Sequence, residues 1–317
     1  MNSPAKDPFA DTAGLVTLGQ WLRFAEEAYA RVGAVCGQVA TQAHDEALYL
    51  LLHVLRLPLE SGPHVLSRRL TGAEARRAAD LFRRRLADRV PAAYLTREAW
   101  LGDSRFYVDE RAIIPRSYFL EIIPQLAAGS DRGPPTPAGK PRPKPLRIAD
   151  VCTGSGCLAI LLARRFPRAT VDAVDVSADA LAVAKINVGA YRLTRRVRLW
   201  RSDLFDAVPA AKYDLIVSNP PYEPSARVAA LPAEFRNEPR LALDGGVDGL
   251  DVIRRLLREA GPRLRPRGRV LIEVGGLRAA MSREFSALRP RWLPTADGSD
   301  CVCEIGASAL SRWNPTV

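Results

Sequence analysis

The amino-acid sequence predicts an α/β fold, a doubly wound and mostly parallel sheet, with a small N-terminal helical domain and a β-hairpin linker before it. From Leu146 onward, short apolar strands alternate with helices, and this alternation implies right-handed crossovers and a sheet covered on both faces. Residues 15–95 instead carry apolar residues at the three- and four-residue spacing of helices. The 317 residues are enough for two domains.

The helical domain is predicted to span residues 1–95 and to recognise a partner. Helices are expected over Leu15–Val32 and Glu46–Leu57, and a third is expected to begin at Thr71, where Thr71 and Glu74 form an S/T-x-x-E capping box. Four arginines share one face of that third helix: Arg76, Arg77, Arg83 and Arg84. The face is either a solvated amphipathic surface, which is the commoner case, or a contact with an RNA-bearing partner.

The linker is predicted to cover residues 96–115. Three strand-like pieces, Ala99–Leu101, Arg105–Val108 and Ala112–Ile114, are separated by turn residues. A helix is expected over Tyr118–Ala127. The next segment, Gly129–Pro145, holds six prolines and three glycines, a composition typical of a flexible surface insertion in the 116–317 domain.

The charge balance is the one unusual feature of the composition. A net charge of +11 suggests an anionic partner such as nucleic acid or an acidic membrane face. Only five of the 46 basic residues are Lys, however, and the excess of Arg and Ala is typical of a GC-rich genome. The surplus is therefore weak evidence for a partner.

Other residue counts exclude several classes of protein and of site. The longest apolar run, Cys157–Ala163, is far shorter than the roughly 20 residues of a membrane-spanning helix, and no secretory signal opens the chain, so a cytoplasmic protein is expected. Five cysteines without a C-x-x-C pair indicate reduced thiols and no zinc site. The three histidines all lie in the first quarter of the chain, which argues against histidine catalysis and metal binding.

The second domain carries the sheet. Its predicted strands are Arg147–Cys152, Thr170–Asp175, Val197–Ser202, Tyr213–Ser218, Arg269–Glu273 and Val302–Ile305. Its predicted helices begin at Gly156, Ala178, Asp251 and Ala279. In a Rossmann-like sheet of this kind, ligands bind beyond the carboxyl ends of the strands.

A glycine-rich loop, Asp150-Val-Cys-Thr-Gly-Ser-Gly156, follows the first of these strands. Its glycines let the backbone turn tightly and approach a ligand. Together with Ala159 the loop also fits G-x-G-x-x-A, so a nicotinamide dinucleotide competes with S-adenosyl-L-methionine, and in either case Asp175 is placed to accept hydrogen bonds from a ribose. Asp150 favours S-adenosyl-L-methionine, because a carboxylate would repel a pyrophosphate but can accept from an amino acid's ammonium; a helix cap is the alternative role.

Two further motifs follow predicted strands that are consecutive in the sequence. Asp203 could accept from the exocyclic amine of adenine, or simply cap a turn. Asn219-Pro-Pro-Tyr222 follows the apolar Leu215–Val217, and the two prolines end the strand in a stiff loop. The Asn219 side-chain oxygen and the Pro220 carbonyl could accept both hydrogens of a planar amine or amide on which Tyr222 stacks, aligning its nitrogen with a methyl group. The proton leaves after methylation, so no metal or general base is required.

These motifs make the chain resemble the glutamine N5-methyltransferases, a family of class I methyltransferases with a helical N-terminal domain. The resemblance covers about residues 45–306 and includes Pro91–Thr96, Phe106–Arg111, Ile114–Ser117, the glycine-rich loop, Asn219–Tyr222, Glu238-Pro239 and Gly245–Leu250. It implies S-adenosyl-L-methionine as cofactor, held by Asp150, Thr153, Gly154, Gly156, Asp175, Asp203 and Asn219. It implies substrate binding by Asn219, Pro220, Pro221, Tyr222 and Arg116, with Asn219, Pro220 and Tyr222 catalytic.

Within the family, one branch modifies the Gly-Gly-Gln motif of peptide-chain release factors and another modifies the third protein of the large ribosomal subunit. Tyr94–Trp100, Val108–Arg111 and Cys152–Cys157 resemble the ribosomal-protein branch, so the expected partner is that protein, free or in an assembling subunit. Tyr118 and the Asp297–Cys301 turn depart from the family pattern. A release-factor enzyme, an N6-adenine methyltransferase and a non-enzymatic RNA-binding scaffold stay open as alternatives.

Overall fold

The computed structural model describes Phe9, residues 12–126 and residues 144–313. Contacts divide the chain into two compact units. The first unit is Met1–Ala99 with Pro232–Asn237, and the second is Trp100–Leu231 with Glu238–Val317. The sequence patterns did not predict that Pro232–Asn237, from the second half of the chain, would belong to the first unit.

Helices account for more of the described residues than strands do. The helices are α1 Leu18–Val32, α2 Ala43–Leu55, α3 Gly72–Leu86, α4 Ala92–Thr96, α5 Phe119–Gln125, α6 Cys157–Arg165, α7 Ala178–Ala190, α8 Ser225–Ala230, α9 Ala233–Arg236, α10 Asp251–Arg263, α11 Arg278–Glu284 and α12 Ala307–Leu310. The strands are β1 Glu98–Leu101, β2 Ser104–Tyr107, β3 Arg147–Val151, β4 Thr170–Asp175, β5 Val197–Arg201, β6 Tyr213–Ser218, β7 Leu264–Glu273, β8 Arg291–Leu293 and β9 Val302–Gly306.

The first unit packs α1, α2 and α3 around a core that includes the fully buried Trp21, Leu50 and Phe82. The capping box predicted for the third helix is present in the structure. The Glu74 amide donates to Thr71 Oγ1 at 3.3 Å, and the Thr71 amide donates to Glu74 Oε2 at 2.8 Å. Two orphan donors at the start of α3 are thereby satisfied, which fixes where that helix begins.

A buried ionic cluster joins Pro232–Asn237 to the helices of the first unit. Arg85 is fully buried and donates through Nε to Glu46 at 2.6 Å, while its Nη1 lies 3.5 Å from Glu234. Arg89 donates to Glu234 at 2.9 Å, and the Tyr29 hydroxyl donates to Glu46 at 2.8 Å. Because removal of one partner would leave a buried charge uncompensated, the cluster holds this short segment firmly in the unit.

The second unit is built on a seven-stranded sheet with the order β5-β4-β3-β6-β7-β9-β8. The neighbours from β5 to β7 pair in parallel, whereas β9 pairs antiparallel with both β7 and β8. The sheet is thus mostly parallel, as the sequence predicts. The β1–β2 pair forms a separate two-stranded sheet within the described residues.

The strand order reverses at β3, and this reversal locates the ligand crevice. The chain runs outward from β3 through β4 to β5, then returns to pair β6 against the other side of β3, with Asp150 opposite Val217 and Val151 opposite Ser218. In doubly wound sheets the crevice lies beyond the carboxyl ends of the strands at such a switch point. The glycine-rich loop and Asn219–Tyr222 begin on either side of it.

Some predicted elements were wrong. Ala112–Ile114 is a loop and not a strand, because the Ala112 amide donates to the Asp109 carbonyl in a turn and the Ile114 amide donates to the Glu238 carboxylate. Five short elements were not predicted: β8, α4, α8, α9 and α12. Residues 129–143 of the proposed Pro-rich insertion, and Ala127 of the predicted helix before it, lie outside the described residues. No helix in the described part of the chain is long and apolar enough to cross a membrane.

Candidate active site

The glycine-rich loop turns from β3 into α6 through three residues in the left-handed region. Cys152, Gly154 and Gly156 have φ angles of 62°, 53° and 80°. A Cβ on Gly156 would lie 3.1 Å from the Cβ of Ala184 on α7, so glycine there permits close packing of the loop against that helix. The loop is fixed at the carboxyl end of β3, because the Thr153 amide donates to the Val174 carbonyl and the Gly156 amide to the Thr153 carbonyl, both at 2.9 Å.

Asp150 lies at the base of this loop and is fully buried. The Thr153 hydroxyl donates to its Oδ2 at 2.6 Å, whereas its Oδ1 is buried without a hydrogen-bond partner. Burial raises the pKa of Asp150 to about 7, an effect that the Thr153 hydrogen bond opposes. An unsatisfied buried carboxylate oxygen is costly, and it fits a site that receives a cationic group such as the ammonium of S-adenosyl-L-methionine.

Asp175 ends β4 beside the same loop. Its Oδ2 accepts from the Gly154 amide at 2.8 Å and its Oδ1 from the Ser177 amide at 2.9 Å. Burial raises the pKa of Asp175, and these backbone hydrogen bonds oppose the rise. Each oxygen keeps a second lone pair, so the side chain that fixes the glycine-rich loop retains capacity to accept from a ribose hydroxyl.

Asp203 follows β5 and is exposed. Its carboxylate pairs with Arg255 at 2.9 Å. The adjacent Ser202 is buried, and its hydroxyl accepts from the Ala207 amide at 2.8 Å. The turn is therefore stabilised by Ser202, while the Asp203 carboxylate faces solvent on the same sheet edge as Asp175.

Asn219–Tyr222 follows β6 as an extended loop. The end of this loop is hydrogen-bonded to the backbone of residues 243–245. The Glu223 amide donates to the Leu243 carbonyl at 2.9 Å, and the Gly245 amide donates back to the Glu223 carbonyl at 2.8 Å. A Cβ on Gly245 would lie 2.7 Å from the Pro221 oxygen. The Gly245–Gly249 loop is thus glycine-rich because it packs directly against the main chain of Pro221 and Tyr222.

The side chain of Asn219 is oriented by the loop before α5. Its Nδ2 donates to the Arg116 carbonyl at 3.5 Å, which leaves Oδ1 free of that contact and able to accept. The Arg116 guanidinium, predicted to bind substrate, is held by Glu238, with Nη1 2.9 Å from both carboxylate oxygens. The structure therefore brings Arg116 and Asn219 together through the Arg116 main chain.

Tyr222 packs with the core beneath the sheet edge and is half-buried. A Cβ on Gly275 would lie 2.5 Å from Cε2 of its ring. Burial, followed by the nearby Glu273 carboxylate, raises the pKa of the Tyr222 phenol. The ring is therefore held in place by the protein on at least one side.

Two residues near this edge of the sheet were not predicted as site residues. Glu273, the last residue of β7, is buried and accepts from the Ser117 hydroxyl at 2.5 Å and the Tyr118 amide at 3.0 Å. Asn187 on α7 is buried and donates to the Tyr107 and Ser155 carbonyls at 3.0 and 2.9 Å, linking β2 to the glycine-rich loop. A carboxylate closing an apolar strand was the available signal for Glu273.

The described residues place all of the predicted site residues along one carboxyl edge of the sheet, either on it or in the loops bound to it. Asp150, Thr153, Gly154, Gly156 and Asp175 form one connected group. Asn219, Pro220, Pro221, Tyr222 and Arg116 form a second. Asp203 stands apart from both in its contacts and pairs with Arg255. Among the described residues no cluster of His, Cys, Asp or Glu could hold a metal ion.

The chain is similar to a known family model and to known proteins. Residues 141–246 match the model of the Methyltransferase small domain. The chain is 43% identical over 301 residues, 93% of this chain and 95% of the relative, to the ribosomal protein uL3 glutamine methyltransferase of Burkholderia pseudomallei (strain K96243). It is 46% identical over 288 residues, 91% of this chain and 94% of the relative, to the protein of that name from Bordetella pertussis (strain Tohama I / ATCC BAA-589 / NCTC 13251).

Some solved structures show a distant likeness to this chain. A ribosomal protein L11 methylase from Lactobacillus delbrueckii subsp. bulgaricus is 21% identical, with a TM-score of 0.36 over 51% of this chain and 68% of that chain.

Proposed function

The chain belongs to the family of ribosomal protein uL3 glutamine methyltransferases, and from this premise we propose that it methylates the side-chain amide nitrogen N5 of a glutamine in ribosomal protein uL3. The observation that carries the proposal is the identity of 43% over 93% of this chain and 95% of the relative, which covers helical unit and sheet alike. The methyl donor is S-adenosyl-L-methionine, and its sulfonium supplies an activated methyl group when bound.

The first group of site residues is assigned to the donor. Asp150 would receive the ammonium of its amino-acid part, which would give the unpartnered Oδ1 a hydrogen bond. Gly154 and Gly156, both with positive φ, would let the backbone approach S-adenosyl-L-methionine closely, and Thr153 orients Asp150 through its hydroxyl. Asp175 would accept from the ribose and Asp203 from the adenine amine.

The second group is assigned to the target amide. Because Asn219 Nδ2 is directed at the Arg116 carbonyl, its Oδ1 is the atom left to accept one amide hydrogen, and the Pro220 carbonyl would accept the other. Fixing both hydrogens would hold the nitrogen lone pair in one direction. Tyr222 and Pro221 would flank the amide plane, and Arg116 would shape the entrance while paired with Glu238.

The helical unit is assigned to recognition of the substrate. We place Arg76, Arg77, Arg83 and Arg84 on a surface for the RNA of an assembling large subunit. Arg76, Arg77 and Arg84 are exposed on α3, whereas Arg83 lies 3.6 Å from Asp80. Arg85, between them in sequence, points into the buried cluster and takes no part in this surface. Ribosome assembly would place the protein in the cytoplasm.

Labelling with radioactive S-adenosyl-L-methionine tests the proposal. Total ribosomal protein from a strain lacking the enzyme is incubated with the purified protein, and the labelled band is identified by mass spectrometry. The expected result is one methyl group on a glutamine of uL3. A label on a release factor would move the chain to the sister activity, and a label on nucleic acid would overturn the proposal.

A further inference from the structure

The buried Glu273 is a carboxylate for which the proposed reaction has no direct use. It is 2% exposed and stands at the carboxyl end of β7, next to β6 in the sheet. Its Oε2 accepts two hydrogen bonds from the segment before α5, from the Ser117 hydroxyl at 2.5 Å and from the Tyr118 amide at 3.0 Å. A buried charge is normally retained only where its hydrogen bonds compensate the loss of water.

The same carboxylate also faces the catalytic loop. After burial, the Glu273 carboxylate is the next largest cause of the raised pKa of the Tyr222 phenol. The Tyr222 ring lies against Gly275, two residues after Glu273 on the chain. Glu273 therefore binds the segment of Ser117 directly, and the turn that follows it packs on the ring of Tyr222 through Gly275.

The loop of Ser117 leads back to the substrate amide. Arg116 precedes Ser117, and its carbonyl accepts from the Asn219 side chain. The Ser117 hydroxyl also accepts from the Phe119 amide at 3.1 Å, which ties it to the start of α5. A displacement of Ser117 would therefore move the carbonyl that orients Asn219.

We infer that Glu273 is a positioning residue, which holds Asn219 through the Ser117 loop and Tyr222 through the turn at Gly275, so that both are aligned on the target amide. The inference rests on the proposed function, because only that function gives the two side chains a common substrate. Misalignment by a fraction of an ångström to one ångström lowers turnover by roughly 10- to 100-fold.

The ionisation of Glu273 supplies a separate readout. Burial raises its pKa to about 7, opposed mainly by the Ser117 hydrogen bond. Burial and, after it, Glu273 raise the pKa of the Tyr222 phenol and of the Cys301 thiol, whereas the Tyr118 phenol binds Asp297, which raises its pKa. Arg116 and Glu223 act on Tyr222, and Asp297 acts on Tyr118 and Cys301, as further charged groups. Hydrogen bonds to an ionised carboxylate are the stronger ones, so turnover should rise as pH increases through about 7.

The test compares Glu273→Gln with a matched control, Asp172→Asn. Asp172 is a buried carboxylate of the same sheet, but it lies three residues before the end of β4 and binds Arg147, Trp200 and Tyr213. Glu273→Gln should lower kcat for uL3 by roughly 10- to 100-fold, leave the KM for S-adenosyl-L-methionine unchanged and flatten the pH profile near 7. Asp172→Asn should lower the melting temperature while the folded protein keeps its kcat and pH profile.

Two outcomes would overturn the inference: unchanged kcat and pH profile in Glu273→Gln, or equal losses in both variants. If Glu273→Gln does not fold, Ser117→Ala carries the same test, since it keeps the carboxylate and removes one of its donors. Hydrogen exchange of the Asn219, Tyr222 and Glu223 amides should be faster in either variant than in the parent. This exchange does not depend on substrate, so it decides the inference even if the parent protein leaves uL3 unmethylated and the proposed function fails.

Discussion

Gly275 lies so close to Tyr222 that a Cβ added to it would stand 2.5 Å from Cε2 of the ring and 3.0 Å from Cδ2 and Cζ. Gly275 also adopts a φ of 49°, a conformation that glycine tolerates without strain. The contact is therefore a structural requirement of the Asn219–Tyr222 loop and not only of the turn after β7.

Gly275→Ala should displace Tyr222 and lower kcat for uL3 by roughly 10-fold or more, because the ring would shift relative to the target amide. Gly298→Ala is the matched control. Gly298 has a φ of 72° and no atom within 4 Å of its would-be Cβ, so it carries the backbone strain without the collision. Steady-state kinetics of both variants separate the two effects, and equal losses would show that backbone strain alone is responsible.

The order of elements in the second unit could be predicted from the sequence because local patterns determine it. Thr170–Asp175 and Tyr213–Ser218 were predicted with the bounds that the structure has. The strand predicted at Ala112–Ile114 was wrong because a distant residue determines the local structure. The Ile114 amide donates to the carboxylate of Glu238, 124 residues away. No local pattern can reveal a side chain that replaces a strand partner from that distance.

Asn219→Ala should reduce turnover by roughly 100-fold or more, on the analogy of removing one preorganised hydrogen-bond acceptor from a transition state. Binding of S-adenosyl-L-methionine should stay nearly intact, because Asp150 and Asp175 belong to the other group of site residues. Single-turnover kinetics and calorimetry measure the two quantities. Wild-type turnover in this variant would remove Asn219 from the catalytic role.

The stability of the protein should fall as pH rises from about 4 to about 7. Burial raises the pKa of Asp150 and of Glu273 to about 7, whereas an unfolded carboxyl titrates at about 4. The unfolded chain therefore releases these protons first, and the stabilisation present below pH 4 is lost as pH passes through 7. Asp150→Asn should flatten this slope in urea unfolding curves recorded between pH 5 and pH 8, and an unaltered slope would contradict the raised pKa.

Binding of S-adenosyl-L-methionine should be linked to the same proton. If Asp150 receives the ammonium, S-adenosyl-L-methionine binds the protein in which the Asp150 carboxyl is ionised. Because the pKa of Asp150 is raised to about 7, the affinity should increase as pH rises through about 7, and binding should release a proton. Calorimetry in buffers of different ionisation enthalpy measures that release. Affinity independent of pH in this range would leave Asp150 with the role of holding Thr153 alone.

The candidate site could be predicted only where its residues share a motif. Asp150 to Gly156 and Asn219 to Tyr222 are continuous in sequence and follow strands, so their meeting at one sheet edge follows from the parallel order of β3 and β6. Glu273 contacts Ser117 across 156 positions. That contact depends on the strand order of the folded sheet, which local periodicity does not encode.

The final prediction concerns the four arginines of α3 and distinguishes contact with RNA from a solvated helix surface. Reversing the three exposed members in the triple variant Arg76→Glu, Arg77→Glu and Arg84→Glu should weaken methylation of an assembling large subunit but not of free uL3. For each phosphate contact that is lost, the slope of log(kcat/KM) against the logarithm of the salt concentration should become shallower by about one.

The matched control reverses Arg192, Arg195 and Arg198, which are also exposed but lie on the sheet unit. Both triple variants change the net charge by the same amount, so a loss confined to the α3 variant would come from contact at that face. Equal losses would come from long-range attraction alone, and no loss in either would make the basic face of α3 a solvated helix surface.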